Sequence, residues 1–326
     1  VRIGIAVTLK DPAAAAGRPD DWQEEFDSPA TVADLRAALE SGGHAVVELG
    51  DGRGLIEKLL ADPPDLVFNI AEGRGTSRSR EARVPAVCEM LGVPYTGSDP
   101  LALAVALDKD VARRLVAGAG VAVPAGLLVD RADAVDPAAV TFPAIVKPAW
   151  EGSSKGVRGQ CVVHDAGELR AALGRALHDY EQPVLVEEFI AGDEVTVGLL
   201  GNDPPRVIGA LQVVPKQPTA EFVYSLEVKR DWENRVRYQC PPALEPATVR
   251  AVEQAALTAF RALGCRDVAR IDFRVRGGVP YFIEANPLPG LNAETGDIVI
   301  AAKAMGLSHA RLVLAIVEAA VARGRS

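Results

Sequence analysis

Residues 268–292 read VARIDFRVRGGVPYFIEANPLPGLN and decide the fold. The spacing predicts two short strands joined by a tight turn at Arg276-Gly277-Gly278. Alternation puts Ile271 and Phe273 on one face of the first strand and Arg270 and Asp272 on the other. The turn then brings Glu284 and Asn286, from the second strand, alongside Asp272. Two carboxylates and an amide oxygen at neighbouring strand ends suit a hard cation such as Mg²⁺, which keeps room for water and phosphate. Arg270 adds a fixed positive charge where negative charge accumulates. Taken alone, the same stretch also reads as an ordinary hairpin with a solvated charged face.

Two more stretches carry chemistry. In Lys147–Gly156, KPAWEGSSKG, a lysine closes a strand and a small-residue loop follows. Such a loop offers backbone N–H groups to phosphate oxygens because no side chain blocks them. It is not a GxxxxGK[ST] phosphate loop, and a plain hairpin turn fits the pattern as well. In Val184–Thr196, VLVEEFIAGDEVT, a strand end with a flat apolar wall suits a purine, and a carboxylate a few residues on suits ribose hydroxyls. An acidic solvated loop is the alternative.

Composition narrows the setting. The chain has 326 residues, 48% hydrophobic and 24% charged, enough to bury a sizeable core. A net charge of -9 argues against nucleic acid as a partner, though not against a nucleotide held by local charge. Cys88, Cys161, Cys240 and Cys265 show no CxxC spacing, so a zinc site is not expected and a reduced, cytoplasmic setting is. No signal peptide is read at the start, and no apolar run approaches about 20 residues, so no membrane partner is expected.

Along the chain, strand-like runs at Val1–Leu9, Ala45–Leu49 and Asp65–Ile70 alternate with helical stripes, which indicates a parallel sheet flanked by helices. Ser28-Pro29 reads as a helix N-cap with proline at the first position. In such sheets ligands bind beyond the carboxyl ends of the strands, so the loops after Leu9 and Ile70 are candidate substrate loops. Asp99–Ala119 reads as one helix. Asp193–Leu200, Val207–Val214 and Val236–Cys240 read as strands of an antiparallel sheet, and Pro246–Leu263 as a long amphipathic helix. His44, His164, His178 and His309 lie away from the motifs and read as structural.

Taken in order, VPYTGSDPLALAVALDK, FPAIVKPAWEGSSKGV, VLVEEFIAGDEVTV and RIDFRV…YFIEANPLPGL resemble the ATP-grasp fold and, within it, the D-alanine–D-alanine ligase family. The likeness is strong from Val93 to Leu291 and weaker before. It implies a mixed α/β and α+β architecture: a parallel-sheet domain over residues 1–97, a lid over 98–188 and a catalytic part over 189–326. It also implies an ATP- and Mg²⁺-dependent joining of a carboxylate to an amine through an acyl phosphate. The expected partners are amino acids or peptides, and a homodimer is common in the family. In that scheme Lys109, Lys147 and Lys229 contact ATP, and the loop of Glu151, Gly152, Ser153 and Ser154 closes over its phosphates. Glu187, Phe189 and Ile190 line the adenine site and Glu194 holds the ribose. Asp272, Glu284 and Asn286 bind two Mg²⁺, for which Mn²⁺ can substitute. Arg270 and the Gly290 N–H steady the oxyanion, and Asn292 or Thr295 lies near the second substrate's carboxylate.

Two departures from the family pattern shape the substrate reading. Where the family carries an HGxxGEDGxxQ-type segment, this chain has Asn69–Glu81, NIAEGRGTSRSRE, with three arginines. Where the family has a tyrosine in a Glu–Ser–Tyr network over the first amino acid, this chain has Arg230; Ser153 is retained, and Glu25 or Asp27 supplies the acid. Arginine forks onto carboxylates. The expectation is therefore that Arg74, Arg78, Arg80 and Arg230 gather to accept an additional carboxylate, giving a larger or more acidic first substrate. The alternative is that they face solvent or pair with Glu72 and Glu81.

Overall fold

The computed structural model describes residues 1–15 and 17–324. The chain opens with β1 (Arg2–Val7), α1 (Pro29–Ser41), β2 (Ala45–Gly50), α2 (Gly52–Ala61), β3 (Leu66–Ile70) and α3 (Arg83–Leu91). The three strands form a parallel sheet in the order β2-β1-β3. As the sequence indicated, Ser28 caps α1: its Oγ accepts from Thr31 N at 3.2 Å, and Pro29, which has no N–H to satisfy, takes the first helical position. Gly92 ends α3 at φ 67°, a left-handed conformation that glycine adopts without a Cβ penalty.

The expected helix over Asp99–Ala119 is two helices, α4 (Pro100–Leu107) and α5 (Lys109–Gly118). Asp108 interrupts them in an extended conformation, φ -82° and ψ 96°, and its carboxylate caps the new helix by accepting from Val111 N at 3.1 Å. Lys109 N is diverted to Ala149 O at 3.0 Å. A local side-chain bond thus competes with helix continuation, and Lys109 is placed on the first turn of α5.

Next come β4 (Gly126–Val129), β5 (Ala144–Pro148), β6 (Val162–Val163), α6 (Ala166–Tyr180) and β7 (Val184–Glu188). They make an antiparallel sheet in the order β4-β7-β5-β6, with α6 packed on it. The remainder holds β8 (Asp193–Leu200), β9 (Arg206–Pro215), α7 (Leu226–Arg230), α8 (Trp232–Arg235), β10 (Val236–Gln239), α9 (Pro246–Ala262), β11 (Val268–Arg276), β12 (Val279–Asn286), α10 (Asp297–Ala304) and α11 (His309–Arg323). Its antiparallel sheet runs β10-β9-β8-β11-β12. Ala106, Ala112 and Val116 of α4 and α5 join the core of this sheet with Phe260 of α9 and Phe273 of β11. Leu312 and Val313 of α11 join the core of the parallel sheet. Among the described residues, no single helix is long and apolar enough to cross a membrane.

Candidate active site

The β11–β12 hairpin carries the polar centre. Register pairs Asp272 with Glu284 and Arg270 with Asn286, so all four side chains share one face. Ile271 and Phe273 turn the other way and are fully buried, and Phe273 meets Phe282 edge to face at 6.3 Å. Strict alternation would have put Phe282 and Glu284 on the same face. A bulge prevents this: Asp272 pairs with Glu284 but Phe273 with Phe282, leaving Ile283 as the extra residue. Phe282 stays in the core while Glu284 faces the cavity. The solvated-hairpin alternative is excluded, because Arg270 is 8% exposed and the Asp272 and Glu284 side chains are 18% and 16% exposed.

Around this centre the charges are interlocked. Arg270 Nη2 lies 2.8 Å from Asp272 and Nη1 3.5 Å from Asp297. Lys109 Nζ lies 2.8 Å from Glu284. Burial would raise the Glu284 carboxyl, but Lys109 and Arg270 outweigh it and hold the group well below the usual range. Burial likewise opposes the charge on Arg270, and Asp272 and Asp297 restore it. Asn286 Nδ2 donates to Asp272 Oδ2 at 3.2 Å, which leaves the amide oxygen available. Among the described residues no three acidic, histidine or cysteine side chains gather as a self-contained metal cage. The all-oxygen set of two carboxylates and one amide instead fits Mg²⁺, which takes its other oxygens from phosphate and water.

Two cavities meet at this centre. The first spans about 970 Å³, part of it open to solvent, and is lined by Ile145, Phe189, Ile190, Tyr224 and Ile283, with Lys147, Glu187, Glu194 and Lys229 at its polar positions. Lys147 lies 2.7 Å from Glu187 as an ion pair rather than an aligned hydrogen bond. Glu194 accepts from Arg274 at 2.9 Å, and burial raises its carboxyl despite that arginine. Lys229 Nζ lies over the Tyr224 ring at 5.0 Å. An apolar slot lined by both carboxylates and lysines suits a nucleoside triphosphate, whose base, ribose and phosphates need apolar, acidic and basic contacts.

The Glu151–Gly156 loop separates the cavities. Ser153 and Ser154 take left-handed φ of 50° and 58°, and Ser154 Oγ donates to Tyr224 O at 2.9 Å. Gly156, at φ 74°, lies so close to Pro148 that a Cβ would sit 2.5 Å from its ring. Ser154 lines the first cavity, and Gly152 and Ser153 line the second.

The second cavity, about 720 Å³, is walled by Glu25, Asp27, Glu72, Glu81, Arg270 and Gly290 among others. Both loops expected to serve substrate reach it, one through Glu25 and Asp27 and the other through Glu72 and Glu81. The expected gathering of arginines does not occur. Arg80 is 1% exposed, grips Glu25 with Nη2 at 2.8 and 2.7 Å, and donates to Trp150 O at 2.5 Å. Arg230 pairs with Asp20 at 2.8 Å and Glu24 at 2.7 Å, Arg78 with Asp108 at 3.2 Å, and Arg74 with Asp51 at 3.3 Å. Each already has a carboxylate, so the extra-carboxylate pocket is corrected. Neither Arg80 nor Arg230 is among the residues walling the cavity. Asn292 and Thr295 also lie off its wall. Asn292 Oδ1 accepts from Thr295 N and Oγ1, both at 3.0 Å, while its Nδ2 donates to Thr31 at 3.2 Å.

Sequence reading missed several contributors. Lys155 pairs with Glu151 and with Glu25, the latter at 3.3 Å. Asp297 backs Arg270, and the Thr196 hydroxyl donates to Asp272. The lysine in GSSKG was the one visible hint. The cross-chain partners of Arg80 left no local signal.

The three sheets, the nucleotide-sized slot between two of them and the oxygen-lined strand tips define an ATP-grasp enzyme. The crystal structure of D-alanine–D-alanine ligase from Bacillus anthracis complexed with ATP shares the fold, with a TM-score of 0.76 and 21% identity over 99% of this chain and 98% of that one. The family description "D-ala D-ala ligase C-terminus" matches residues 117–318. A D-alanine–D-alanine ligase of Geobacter sulfurreducens is 37% identical over 279 residues, 85% of this chain and 84% of its own. The uncharacterized protein y4sG of Sinorhizobium fredii is 32% identical over 312 residues, 93% of this chain and 89% of its own. The chain belongs to the D-alanine–D-alanine ligase family and is an ATP-dependent ligase.

Proposed function

We propose that this chain joins the carboxylate of one amino acid to the amine of a second through an acyl phosphate, with ATP as the phosphoryl donor. One observation carries the reading: Lys109, Glu151, Arg270 and Glu284 line both cavities, so the two adjoin at the most charged point of the site. A γ-phosphate in the first cavity and a carboxylate in the second meet there.

The acid's oxygen attacks the γ-phosphorus, ADP leaves, and the carbonyl becomes an acyl phosphate. The second amine then attacks that carbonyl carbon, and inorganic phosphate leaves as the amide forms. The protein's part is positioning and charge neutralisation. Lys109 and Arg270 offset the repulsion between carboxylate and triphosphate. Arg270 and Gly290 line the cavity where the tetrahedral oxyanion develops, and the Gly290 N–H would donate to it. Asp272, Glu284 and Asn286 would hold Mg²⁺, which neutralises phosphate charge when bound.

D-Alanine, the substrate in the relatives' names, is the first acid and amine to assay. The test is amino-acid-dependent ADP release, with hydroxylamine added to trap the acyl phosphate as a hydroxamate. Ligation predicts ADP release that rises with an acid and amine together, and a hydroxamate from the acid alone. ADP release indifferent to every amino acid pair would leave a nucleotide-binding protein without ligase activity.

A further inference from the structure

The second cavity holds more carboxyl groups than its own cations pair with. Glu25 and Glu151 are matched: Arg80 and Lys155 bind both of them, and the Gly152 N–H donates to Glu25. Glu284 is matched by Lys109. Three further carboxyls remain on the wall: Asp27 from the loop after β1, and Glu72 and Glu81 from the loop after β3. Among the described residues, no lysine, arginine or histidine forms an ion pair with any of the three. Glu81 is 7% exposed and shares a side-chain hydrogen bond with the Glu72 carboxyl.

A buried carboxyl without a cation is costly, and the protein's own basic groups point elsewhere. The Arg74, Arg78 and Arg230 guanidiniums all turn outward to other acids. Burial raises all three, Asp27 to about 7; the Glu81 and Glu25 carboxylates raise Glu72 further and Glu25 raises Glu81, against the more distant pull of Arg80. An α-amino acid with its carboxylate at Arg270 brings one ammonium. That is one cation for three acids spread over two loops.

We infer that this cavity selects an acyl donor with a second amino group on its side chain, a diamino acid, whose two ammoniums are received by Asp27, Glu72 and Glu81. The inference rests on the ligase reading for which substrate lies there, and it narrows that reading to a substrate class. A cationic donor turns three uncompensated acids into ion pairs. A neutral or acidic donor leaves them protonated and gains no ion pair there. Discrimination therefore comes from the ion pairs that only a cationic donor can form with these carboxyls.

The experiment measures ADP release with 2,3-diaminopropionate, ornithine, lysine, alanine and glutamate as donors, each in both enantiomers, with D-alanine as the amine. The expected result is a kcat/KM at least about tenfold higher for one diamino acid than for alanine or glutamate. In Glu81→Gln and in Glu72→Gln the diamino-to-alanine ratio should fall about tenfold. Melting curves of the intact chain with a non-hydrolysable ATP analogue and Mg²⁺ give a second readout. The diamino acid should raise the melting temperature in the native chain and fail to do so in Glu81→Gln. Equal or better turnover of alanine would overturn the inference and leave the ligase reading standing. No turnover of any pair, with Glu81-dependent stabilisation by the diamino acid, would do the reverse. A specificity ratio unchanged in both variants would also overturn it.

Discussion

Removing Arg80 separates a structural arginine from a substrate-binding one. Its guanidinium is buried between Glu25 and Glu151, with Nη2 2.7 Å from the first and 3.3 Å from the second. Arg80→Met keeps the stem and volume but leaves two buried carboxylates sharing Lys155 alone. Breaking a buried ion pair from one side costs about 3–5 kcal/mol. A chain of 326 residues unfolds with an entropy of roughly 0.7 kcal/mol/K, so the melting temperature should fall by roughly 4–7 °C at pH 7. As a control, Arg53→Met removes the exposed Arg53–Glu57 pair, 92% and 65% exposed, and should cost less than about 1 kcal/mol.

The pH dependence follows from Glu25. Burial pushes its carboxyl up, but Arg80 and Lys155 outweigh burial and hold it below its ordinary 4.5. A depressed carboxyl stabilises the fold above its unfolded value and loses that contribution as pH falls through the folded one. The gap between native chain and variant should therefore be full at pH 7 and narrow below about pH 4.5. Differential scanning calorimetry across pH 3.5–8, where unfolding is reversible, reads both effects. An unchanged melting temperature with a raised KM for the acyl donor would refute the structural role and restore the substrate contact expected from sequence.

Two further predictions concern the site itself. Glu284→Gln and Asp272→Asn each remove one carboxylate from the metal set and should lower kcat by at least about a thousandfold, with far-UV circular dichroism unchanged; turnover within tenfold of the native chain would contradict the assignment. Gly156→Ala forces a Cβ against Pro148 at a left-handed φ, costing on the order of 1–3 kcal/mol of local strain. It should raise the KM for ATP and lower the melting temperature by no more than roughly 1–4 °C, and an unchanged KM would show that the loop does not need this turn.

Much of the fold was legible because its signals are local. The Ser28-Pro29 cap, the strand–helix alternation of the first sheet and the glycine turn of the hairpin each depend on residues a few positions apart. What escaped depends on distant partners or on conflicts between levels. The break at Asp108 wins because Lys109 N finds Ala149 O, which helix periodicity cannot show. The short strand β4 exists because it pairs with β7. The bulge at Ile283 is what lets Phe282 and Glu284 take opposite duties, where alternation alone would put them on one face. In the candidate site, the meeting of Arg270, Asp272, Glu284 and Asn286 on one face of the hairpin was readable, and so was the small-residue loop after Lys147. The orientation of the arginines was not: Arg80 meets Glu25 across 55 positions of sequence and Arg230 meets Asp20 across 210.

The most direct measurement is the anomalous scattering of Mn²⁺ in crystals grown with a non-hydrolysable ATP analogue. The account predicts metal peaks about 2.1–2.3 Å from oxygens of Asp272, Glu284 and Asn286, with the γ-phosphate beside Arg270. Peaks elsewhere, with Asp272 and Glu284 bound only to Arg270 and Lys109, would contradict it.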